Sequence, residues 1–363
     1  KISGVWIMAY TTIDDPSAHF HTQLYSGDGN TNRDITNDAN AGDFKPDWLW
    51  IKNRTDSSQH MWFNSNVGMP NHLTVDLTDA EQTATNKATV FNTDGFRVQD
   101  HSQVNGSSKN YVAWQWKING GTTSSNGDGG ITSTVQVNQT AGISIVTWTG
   151  NGNQTNIGHG LGGTPDLVII KNRSDTEGYW VGAPAAGDVG DGKYLLWHND
   201  DAVATNNTSF VNADFTSTVF DVGGSSSADN AINGSSDGMI AFCIKSVQGY
   251  SKIGSYIGNG NADGTFVYTG FKPAFLLWKR TDSATSWRVF DNKRDSDNVV
   301  KGRLFPDVAD AENTSQDTLD FLSNGFKLRS TNSGGNASEG KYLYMAFAEH
   351  PFVSSKGVPV TAR

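Results

Sequence analysis

Three lysines stand at the same place in a recurring phrase of the sequence, and an arginine lies close behind each of them. The phrases are KPDWLWIKNR, TPDLVIIKNR and KPAFLLWKR. The lysines are Lys52, Lys171 and Lys279, and the arginines are Arg54, Arg173 and Arg280. Cations at a repeated position suggest a ligand site. A charge at the end of an apolar strand also guards the strand against pairing with another chain, and we favour this second interpretation.

Aspartates recur in three loops that follow these phrases. They are Asp76 and Asp79, Asp200 and Asp201, and Asp307 and Asp310. Oxygen-rich loops are typical calcium sites, since calcium takes about six to eight oxygen ligands. None of the three loops has the spacing of a helix–loop–helix calcium site, and solvated surface loops have the same composition. The pattern therefore predicts no cofactor, with structural calcium as the alternative.

A tryptophan follows each phrase at nearly the same distance, and the three are Trp62, Trp180 and Trp287. An exposed indole offers a flat apolar face to a sugar ring, so these are candidate glycan-stacking residues. A residue fixed at one place in every repeat is more often part of a core, and we favour that interpretation. Glutamate is scarce, and no pair of carboxylates is placed for glycoside hydrolysis. The sequence therefore predicts no catalytic residue, no confident metal site and no enzyme.

The same landmarks recur three times, so the chain is built of three repeats. The phrases begin at Pro46, Pro165 and Pro273, which are 119 and 108 residues apart. In each repeat a Gly/Asn turn precedes the phrase, and a pair of phenylalanines and an apolar closing segment follow it. A period of this length is too long for a solenoid or propeller repeat and matches one small β-sandwich domain. Short apolar segments between Gly, Asn, Asp and Ser clusters indicate an all-β protein.

These landmarks predict three tandem β-sandwich modules of jelly-roll or lectin-like type, each of about 100–115 residues, with one short N-terminal helix. Each module is expected to bury its own interior rich in tryptophan and phenylalanine. The predicted divisions are an N-terminal anchor segment over 1–21, modules over 22–118, 131–246 and 250–353, a flexible Gly/Ser linker over 119–130, and a C-terminal tail over 354–363. The short junction before the third module predicts that it packs against the second.

The segment after each proline is apolar at successive positions, which predicts a strand buried on both faces. The closing segments YVAWQWK, MIAFCIK and YLYMAFA have the same character. We therefore expect each closing segment to lie beside the first apolar strand of its repeat, in one sheet.

Local turn and helix signals lie at three further places. Residues 94–95 (Asp-Gly) and 324–325 (Asn-Gly) predict two-residue hairpins, since a type I′ turn needs positive φ twice. Residues 213–214 of the second repeat are Ala-Asp, which predicts a different turn. Asp15 before Pro16 predicts a capped helix, with proline at its first position.

Composition excludes several classes of protein. The chain of 363 residues carries a net charge of −10, and it has no cluster of basic residues with which to neutralise nucleic-acid phosphates. It has no apolar stretch long enough for a membrane span. Its single cysteine, Cys243, excludes a disulfide within the chain and is expected to be a buried, inert thiol.

The longer phrases carry a resemblance to a known class of proteins. MAYTTIDDPSAHFHTQLYSGDGN, KPDWLWIKNR, TGNGNQTNIGHGLGGTPDLVIIKNR and YLYMAFAEHPF resemble the repeat-containing structural proteins of marine tailed phages, including phages of cyanobacteria. The resemblance covers nearly the whole chain. It implies a virion protein, a fibre-like appendage of tail or capsid that presents its modules for host-surface attachment or particle decoration. It implies no active-site residue.

The resemblance also implies partners and a location. The expected location is the surface of an extracellular particle, with the N-terminal segment bound to other virion proteins and a host glycan or protein as a further partner. Such appendages are commonly homo-oligomers, often trimers, although three modules in one chain would also supply a pseudo-threefold arrangement by themselves. Two other classes stay open, namely a secreted or surface carbohydrate-binding protein and a polysaccharide depolymerase.

Overall fold

The computed structural model describes residues 9–38, 43–184, 189, 192–205, 215–223 and 229–359. Within these ranges the chain is all-β, as its turn-separated apolar segments predict. The strands form three large sheets and three small sheets, and each repeat supplies one sheet of each kind.

The first repeat forms a six-stranded sheet and a three-stranded sheet. Its strands are β1 (Phe20–Ser26), β2 (Arg33–Ile35), β3 (Trp48–Asn53), β4 (Met61–Asn64), β5 (Asn71–Thr74), β6 (Gln82–Thr83), β7 (Ala88–Phe91), β8 (Phe96–Val98) and β9 (Asn110–Trp116). The large sheet has the order β1-β9-β3-β4-β5-β6, and the small sheet has the order β2-β8-β7.

The second repeat forms an eight-stranded sheet and a two-stranded sheet. Its strands are β10 (Ser124–Asn126), β11 (Ser133–Asn138), β12 (Ile143–Thr149), β13 (Thr155–Gly158), β14 (Leu167–Asn172), β15 (Tyr179–Gly182), β16 (Lys193–Leu196), β17 (Ala204–Thr205), β18 (Val219–Val222) and β19 (Gly238–Ile244). The large sheet has the order β10-β11-β12-β19-β14-β15-β16-β17, and the small sheet pairs β13 with β18.

Strand β10 lies inside the stretch 119–130, which the sequence predicts to be a flexible linker. It pairs with β11, and Ser125 stands opposite Thr134. The expectation of a linker is wrong for this strand. Backbone donors and acceptors extend a sheet edge whatever the side chains are, so a Gly/Ser-rich composition does not prevent pairing.

The third repeat forms a four-stranded sheet and a three-stranded sheet. Its strands are β20 (Ser251–Ile257), β21 (Phe266–Tyr268), β22 (Phe271–Arg280), β23 (Arg288–Asp291), β24 (Leu319–Leu322), β25 (Gly325–Leu328) and β26 (Lys341–Pro351). The large sheet has the order β20-β26-β22-β23, and the small sheet has the order β21-β25-β24.

Helices are few and short. The predicted N-terminal helix is confirmed as one 3-10 turn over Pro16–Ala18, with the Asp15 carboxylate accepting a hydrogen bond from the Ser17 amide at 3.1 Å. Three further helices stand at the same place in each repeat, just before its closing strand. They are α1 (Ser102–Asn105), α2 (Asp229–Asn233) and α3 (Ser333–Asn336). In the part of the chain that the structure describes, no helix is long and apolar enough to cross a membrane.

A buried asparagine at the end of each short helix holds the Gly/Asn turn of its repeat. The asparagines are Asn105, Asn233 and Asn336, and each is 0 % exposed. Their side-chain amides donate to the backbone carbonyls of Asn30, Asn153 and Asn261 at 2.9, 2.7 and 2.7 Å, respectively. These residues cannot be recognised from the sequence, because each lies in a segment too short to show helical periodicity.

The apolar strand after each proline is buried on both faces, as predicted. It also lies beside the closing strand, in the pairs β3–β9, β14–β19 and β22–β26. One face packs on the small sheet of the same repeat, and in the first repeat Leu49 and Ile51 lie there. The alternate residues Trp48 and Trp50 point the other way.

These second faces meet in one central core that all three repeats share. Of the ten tryptophans among the described residues, seven belong to it, namely Trp48, Trp50, Trp62, Trp114, Trp116, Trp197 and Trp287. Rings of different repeats are in contact, as in Trp48–Phe242 at 4.7 Å, Trp116–Phe275 at 5.6 Å and Trp197–Trp287 at 4.9 Å between centroids. The expectation that each repeat encloses its own tryptophan-rich interior is therefore wrong, although each repeat also has a local core.

The predicted hairpins form, but their turns differ from the prediction. Phe91 pairs with Phe96 across one turn, and Phe321 pairs with Phe326 across the other. In the first hairpin Gly95 has φ 84°, but Asp94 does not have a positive φ. In the other hairpin neither Asn324 nor Gly325 has a positive φ, so neither turn is of type I′. The turn of the second repeat, with Phe210 and residues 213–214, lies outside the described residues.

The described part of the predicted N-terminal anchor (residues 1–21) packs against the third repeat. The Tyr10 hydroxyl donates to the Gly270 carbonyl at 2.8 Å. Ile13 is 3 % exposed and belongs to the central core. Strand β1 also begins at Phe20, inside the predicted anchor. This stretch is therefore part of the folded body, and its removal would open the central core.

Candidate functional site

The three repeated lysines join the repeats to one another. All three are 0 % exposed. The Lys52 ammonium of the first repeat donates to the Ala309 carbonyl of the third at 2.8 Å. Lys171 of the second repeat donates to Thr78 of the first at 3.0 Å, and Lys279 of the third donates to Asp200 of the second at 3.2 Å. The contacts form a closed ring, so neither an open ligand site nor a charge guarding a strand edge describes these residues.

Two of the three junctions also carry an arginine–glutamate pair. Arg54 pairs with Glu312 at 2.7 Å, and Arg173 pairs with Glu81 at 2.7 Å. These side chains are mostly buried, and each arginine makes two hydrogen bonds to its carboxylate. Arg173 binds both oxygens of Glu81 through two parallel N–H···O contacts, which fix the orientation of the groups as well as their distance, whereas both Arg54 donors bind one oxygen of Glu312.

The third junction replaces the ion pair with two uncharged residues. One backbone hydrogen bond recurs at all three junctions. The backbone amides of Glu312, Glu81 and Val203 donate to the backbone carbonyls of Arg54, Arg173 and Thr281 at 3.0, 2.8 and 2.9 Å, respectively. Thr281 therefore stands where the other repeats have arginine, and Val203 stands where they have glutamate. Arg280, the arginine close behind Lys279, is therefore not equivalent to Arg54 and Arg173, and it pairs with Asp282 of its own repeat.

We expect the missing pair to be restored by a double substitution. Thr281→Arg with Val203→Glu should recreate the contact, whereas each single change buries part of a charge without its partner. A double-mutant cycle of urea unfolding should give a favourable coupling of about 1–3 kcal/mol between the two substitutions. Additive effects of the two changes would contradict the proposed equivalence of the three junctions.

The junctions hold charges whose pKa values are moved by burial. Burial lowers the pKa of Lys52, Lys171 and Lys279 to about 8 in each case, against the attraction of nearby carboxylates. Burial also raises the pKa of Asp76 and of Asp307 to about 6. Asp76 accepts a hydrogen bond from the His60 amide at 2.9 Å, which opposes that rise.

Asp76→Asn should change the pH dependence of stability. In the unfolded chain the carboxyl releases its proton near its ordinary pKa, whereas in the folded chain it holds the proton until about pH 6. The wild type therefore loses stability as the pH rises from about 4 to 6, and asparagine, which does not titrate, removes that loss. The stability of the variant relative to the wild type should rise by at most about 3 kcal/mol between pH 4 and 7 in urea melts. A constant difference over this range would contradict burial of the Asp76 carboxylate.

The six aspartates proposed for calcium are divided among the three junctions. Asp76 and Asp307 are buried, at 7 % and 4 % exposure. The others are Asp79, Asp200, Asp201 and Asp310. Over the described residues no group of three or more His, Cys, Asp or Glu side chains is arranged to hold a metal ion.

The three candidate glycan-stacking tryptophans are buried. Trp62 and Trp287 are each 1 % exposed in the central core, and Trp180 is 8 % exposed in the local core of the second repeat. The three tryptophans are not structurally equivalent. Each lies at a different distance in sequence from the proline of its repeat, and successive residues of a strand point to opposite faces of the sheet. No indole face of these residues is open to a sugar.

A buried charge cluster at the junction of the first and third repeats was missed by the sequence analysis. The Arg294 guanidinium pairs with Asp291 at 2.5 Å and with Glu312 at 2.8 Å. The Trp114 indole of the first repeat donates to Asp291 at 3.0 Å. Glu312 also binds Arg54, so the cluster links both repeats through alternating charges.

A cleft of about 290 Å³ lies between strand β1 of the first repeat and strands β22 and β26 of the third. Its polar lining includes Thr22, Asp38, Asn292, Lys293, Glu349 and His350. Asp38 pairs with Lys293 at 3.2 Å, and Glu349 pairs with Lys272 at 2.9 Å.

Two further side chains characterise the cleft. Burial lowers the pKa of His21, which lines its wall. The Thr22 hydroxyl is buried and has no hydrogen-bond partner among the described residues. The cleft is therefore polar, its carboxylates Asp38 and Glu349 are paired with lysines, and the unpartnered Thr22 hydroxyl lies buried in its wall.

Comparison with known proteins places the chain in a family. A family model described as a domain of unknown function (DUF7483) matches residues 15–351. The chain belongs to this DUF7483 family. The match runs through all three repeats as one stretch, and it begins and ends close to the limits of the interlocked body. No curated protein matches the chain.

The DUF7483 chain thus brings together residues from distant parts of its sequence. In the sequence the lysines and arginines form a repeated pattern, whereas the residues that bind them can be recognised only as parts of acidic loops. Lys171 and Thr78 are 93 positions apart, and periodicity within one repeat cannot indicate such a contact. An alignment of the three repeats would place Arg54 with Arg173 and Glu81 with Glu312, but it would not show which arginine contacts which glutamate.

Proposed function

We propose that this DUF7483 chain is a structural component of a phage particle, carried on the tail or capsid. Its role is host-surface attachment or particle decoration. Within this proposal the three sheet pairs are three copies of one β-sandwich module, and the chain catalyses no reaction. The resemblance of its phrases to marine phage structural proteins and the repetition of its landmarks support the proposal.

One observation carries the proposal, namely the closed ring of contacts between the repeats. Each repeat binds the acidic loop of another through a buried lysine, and aromatic rings fill the space between the sheets. Such a unit has no free hinge between repeats, so it withstands shear and proteolysis better than a string of separate domains would. A part exposed on a particle outside the cell needs this property.

The partners in this proposal are other particle proteins and further copies of the same chain. The pseudo-threefold arrangement is already present within one chain, because the ring closes over three repeats. A fibre-like appendage would then be assembled from such blocks, and a separate homotrimer is not required to form the threefold body.

The test uses particles produced from the genome that encodes the chain. Mass spectrometry of purified particles should find its peptides, and gold-labelled antibodies against the folded chain should mark a defined place on them. The same antibodies should reduce adsorption to host cells if the role is attachment, and leave it unchanged if the role is decoration. Absence of the chain from purified particles would overturn the proposal.

The polar cleft favours a second candidate, a secreted or surface carbohydrate-binding protein. In that case the chain would be recovered from culture medium or cell surfaces and not from particles. A glycan array alone does not separate the two candidates, because an attachment protein also binds sugars. The location of the chain decides between them.

A further inference from the structure

The three junctions between repeats provide an internal comparison that bears on the cleft. Asn292 is the first residue after β23, as Ser65 is the first residue after β4. Ala274 directly follows the proline of its phrase, as Asp47 follows Pro46. The cleft at the junction of the third and first repeats therefore has a counterpart at the junction of the first and second. Both places lie beside the strand that pairs with the outer side of the closing strand in the neighbouring large sheet, which is β1 in one case and β12 in the other.

The counterpart is filled by a polar side chain. Gln136 of strand β11 is 0 % exposed and donates to the Asp47 carboxylate at 2.8 Å. Its amide also donates to the Ser65 hydroxyl at 2.8 Å, and its carbonyl oxygen lies 3.1 Å from the same hydroxyl. The single hydrogen of the Ser65 hydroxyl is donated to Asp47 at 2.6 Å, so the carboxamide acts at this place as a hydrogen-bond donor.

The cleft is open because the first repeat has no equivalent of β11 among the described residues. Strand β1 is at the edge of its sheet as the structure describes it, whereas β12 lies between β11 and β19, with β10 beyond β11. The backbone at Ile145, which corresponds to Thr22, is contacted by the Asn66 side chain at 3.2 Å. At the open junction the Thr22 hydroxyl, in a residue only 3 % exposed, has no such partner in the described part of the chain.

We propose that the cleft binds one neutral, polyhydroxylated ring, a single sugar unit of a surface polysaccharide. The ligand takes the place that Gln136 fills at the other junction, and its hydroxyls supply hydrogen-bond donors, as the carboxamide does. A neutral ligand fits because Asp38 and Glu349 already face Lys293 and Lys272. A volume of about 290 Å³ is near the lower limit of small-molecule pockets, roughly 300–1,000 Å³, so one ring fits better than a long oligosaccharide.

This inference rests on the attachment role proposed above and names its ligand class. The ring lies against Thr22, with Asn292 and His350 at the rim of the cleft. The buried tryptophans take no part in binding.

The experiment presents the full chain to an array of bacterial capsular and lipopolysaccharide sugars, followed by titration of the free monosaccharide of each positive spot. The wild type should bind, and Thr22→Val and His350→Ala should each weaken binding about tenfold. Thr22→Val removes the hydroxyl with little change of shape, so the stability of the fold should be unchanged or slightly higher. Thr281→Val, at another buried threonine between repeats, is the matched control and should bind as the wild type does.

Three results would overturn the inference. They are no binding to any sugar by the wild type, unchanged binding by both cleft variants, or equal loss of binding in the Thr281→Val control. Each leaves the particle labelling experiment intact, so failure of the cleft and failure of the proposed function remain distinguishable. A chain absent from particles that still binds sugar through Thr22 would support the cleft and reject the phage role.

Discussion

Trp62→Ala should lower the free energy of unfolding by about 3–5 kcal/mol, because it leaves a large cavity in the central core. Trp62 is 1 % exposed and contacts rings of two repeats. Its nearest ring neighbours are Trp48 of the first repeat at 4.9 Å and Phe242 and Trp197 of the second at 5.0 and 5.2 Å. The lost packing therefore acts on both repeats at once.

Scanning calorimetry of the wild type and the variant measures both the loss and its distribution. In a shared core, Trp62→Ala should shift the unfolding of the whole chain to lower temperature. Trp62→Phe, which keeps an aromatic ring, should have a smaller effect. Separate transitions for the three repeats, of which the variant moves only the first, would contradict a common core.

The strands that are buried on both faces can be predicted from the sequence, because their residues are apolar at successive positions. An antiparallel strand with one wet face alternates polar and apolar residues, and the run from Trp48 to Ile51 does not. The sequence therefore predicts that something covers the second face. It does not identify the cover, since the tryptophan side chains suit a local core and a shared core equally well.

The junctions are harder to predict because they depend on how the repeats are placed. Lys171 ends an apolar strand, and a lysine in that position is usually solvated. Its burial becomes favourable only when carbonyls of Asp175 and Glu177 and of Thr78 in another repeat surround the ammonium. The cleft also depends on how the repeats are placed, because it lies where the described part of the first repeat has no strand equivalent to β11.

The role of Gln136 also cannot be predicted from the sequence. As a polar residue on a strand near the predicted linker, it carries no sign of its function in the sequence. Only the superposition of junctions shows that it fills the space that is open beside Thr22. The repeated landmarks therefore predict what the junctions share, whereas their differences are visible only in three dimensions.

Arg294→Met should destabilise the chain by about 3–5 kcal/mol, because it leaves the buried Asp291 without its cation. Both the arginine and Asp291 have fully buried side chains. The Arg294 guanidinium also donates to the Val289 carbonyl at 3.0 Å and lies over the Trp114 ring at 5.5 Å, so packing is lost together with charge. Urea unfolding followed by tryptophan fluorescence measures the effect.

Two variants show whether the loss arises from the unpaired charge. Adding Asp291→Asn to Arg294→Met removes the buried negative charge and should recover a substantial part of the stability, since Glu312 keeps Arg54 as its partner. Arg97→Met, at an exposed pair with Asp34, is the matched control and should cost much less, because solvent screens an exposed ion pair. Equal losses at Arg294 and Arg97 would mean that the cluster contributes no more than a surface ion pair. A large loss at Arg294 that the second substitution reverses would instead place the buried charge cluster among the contacts that hold the first and third repeats together.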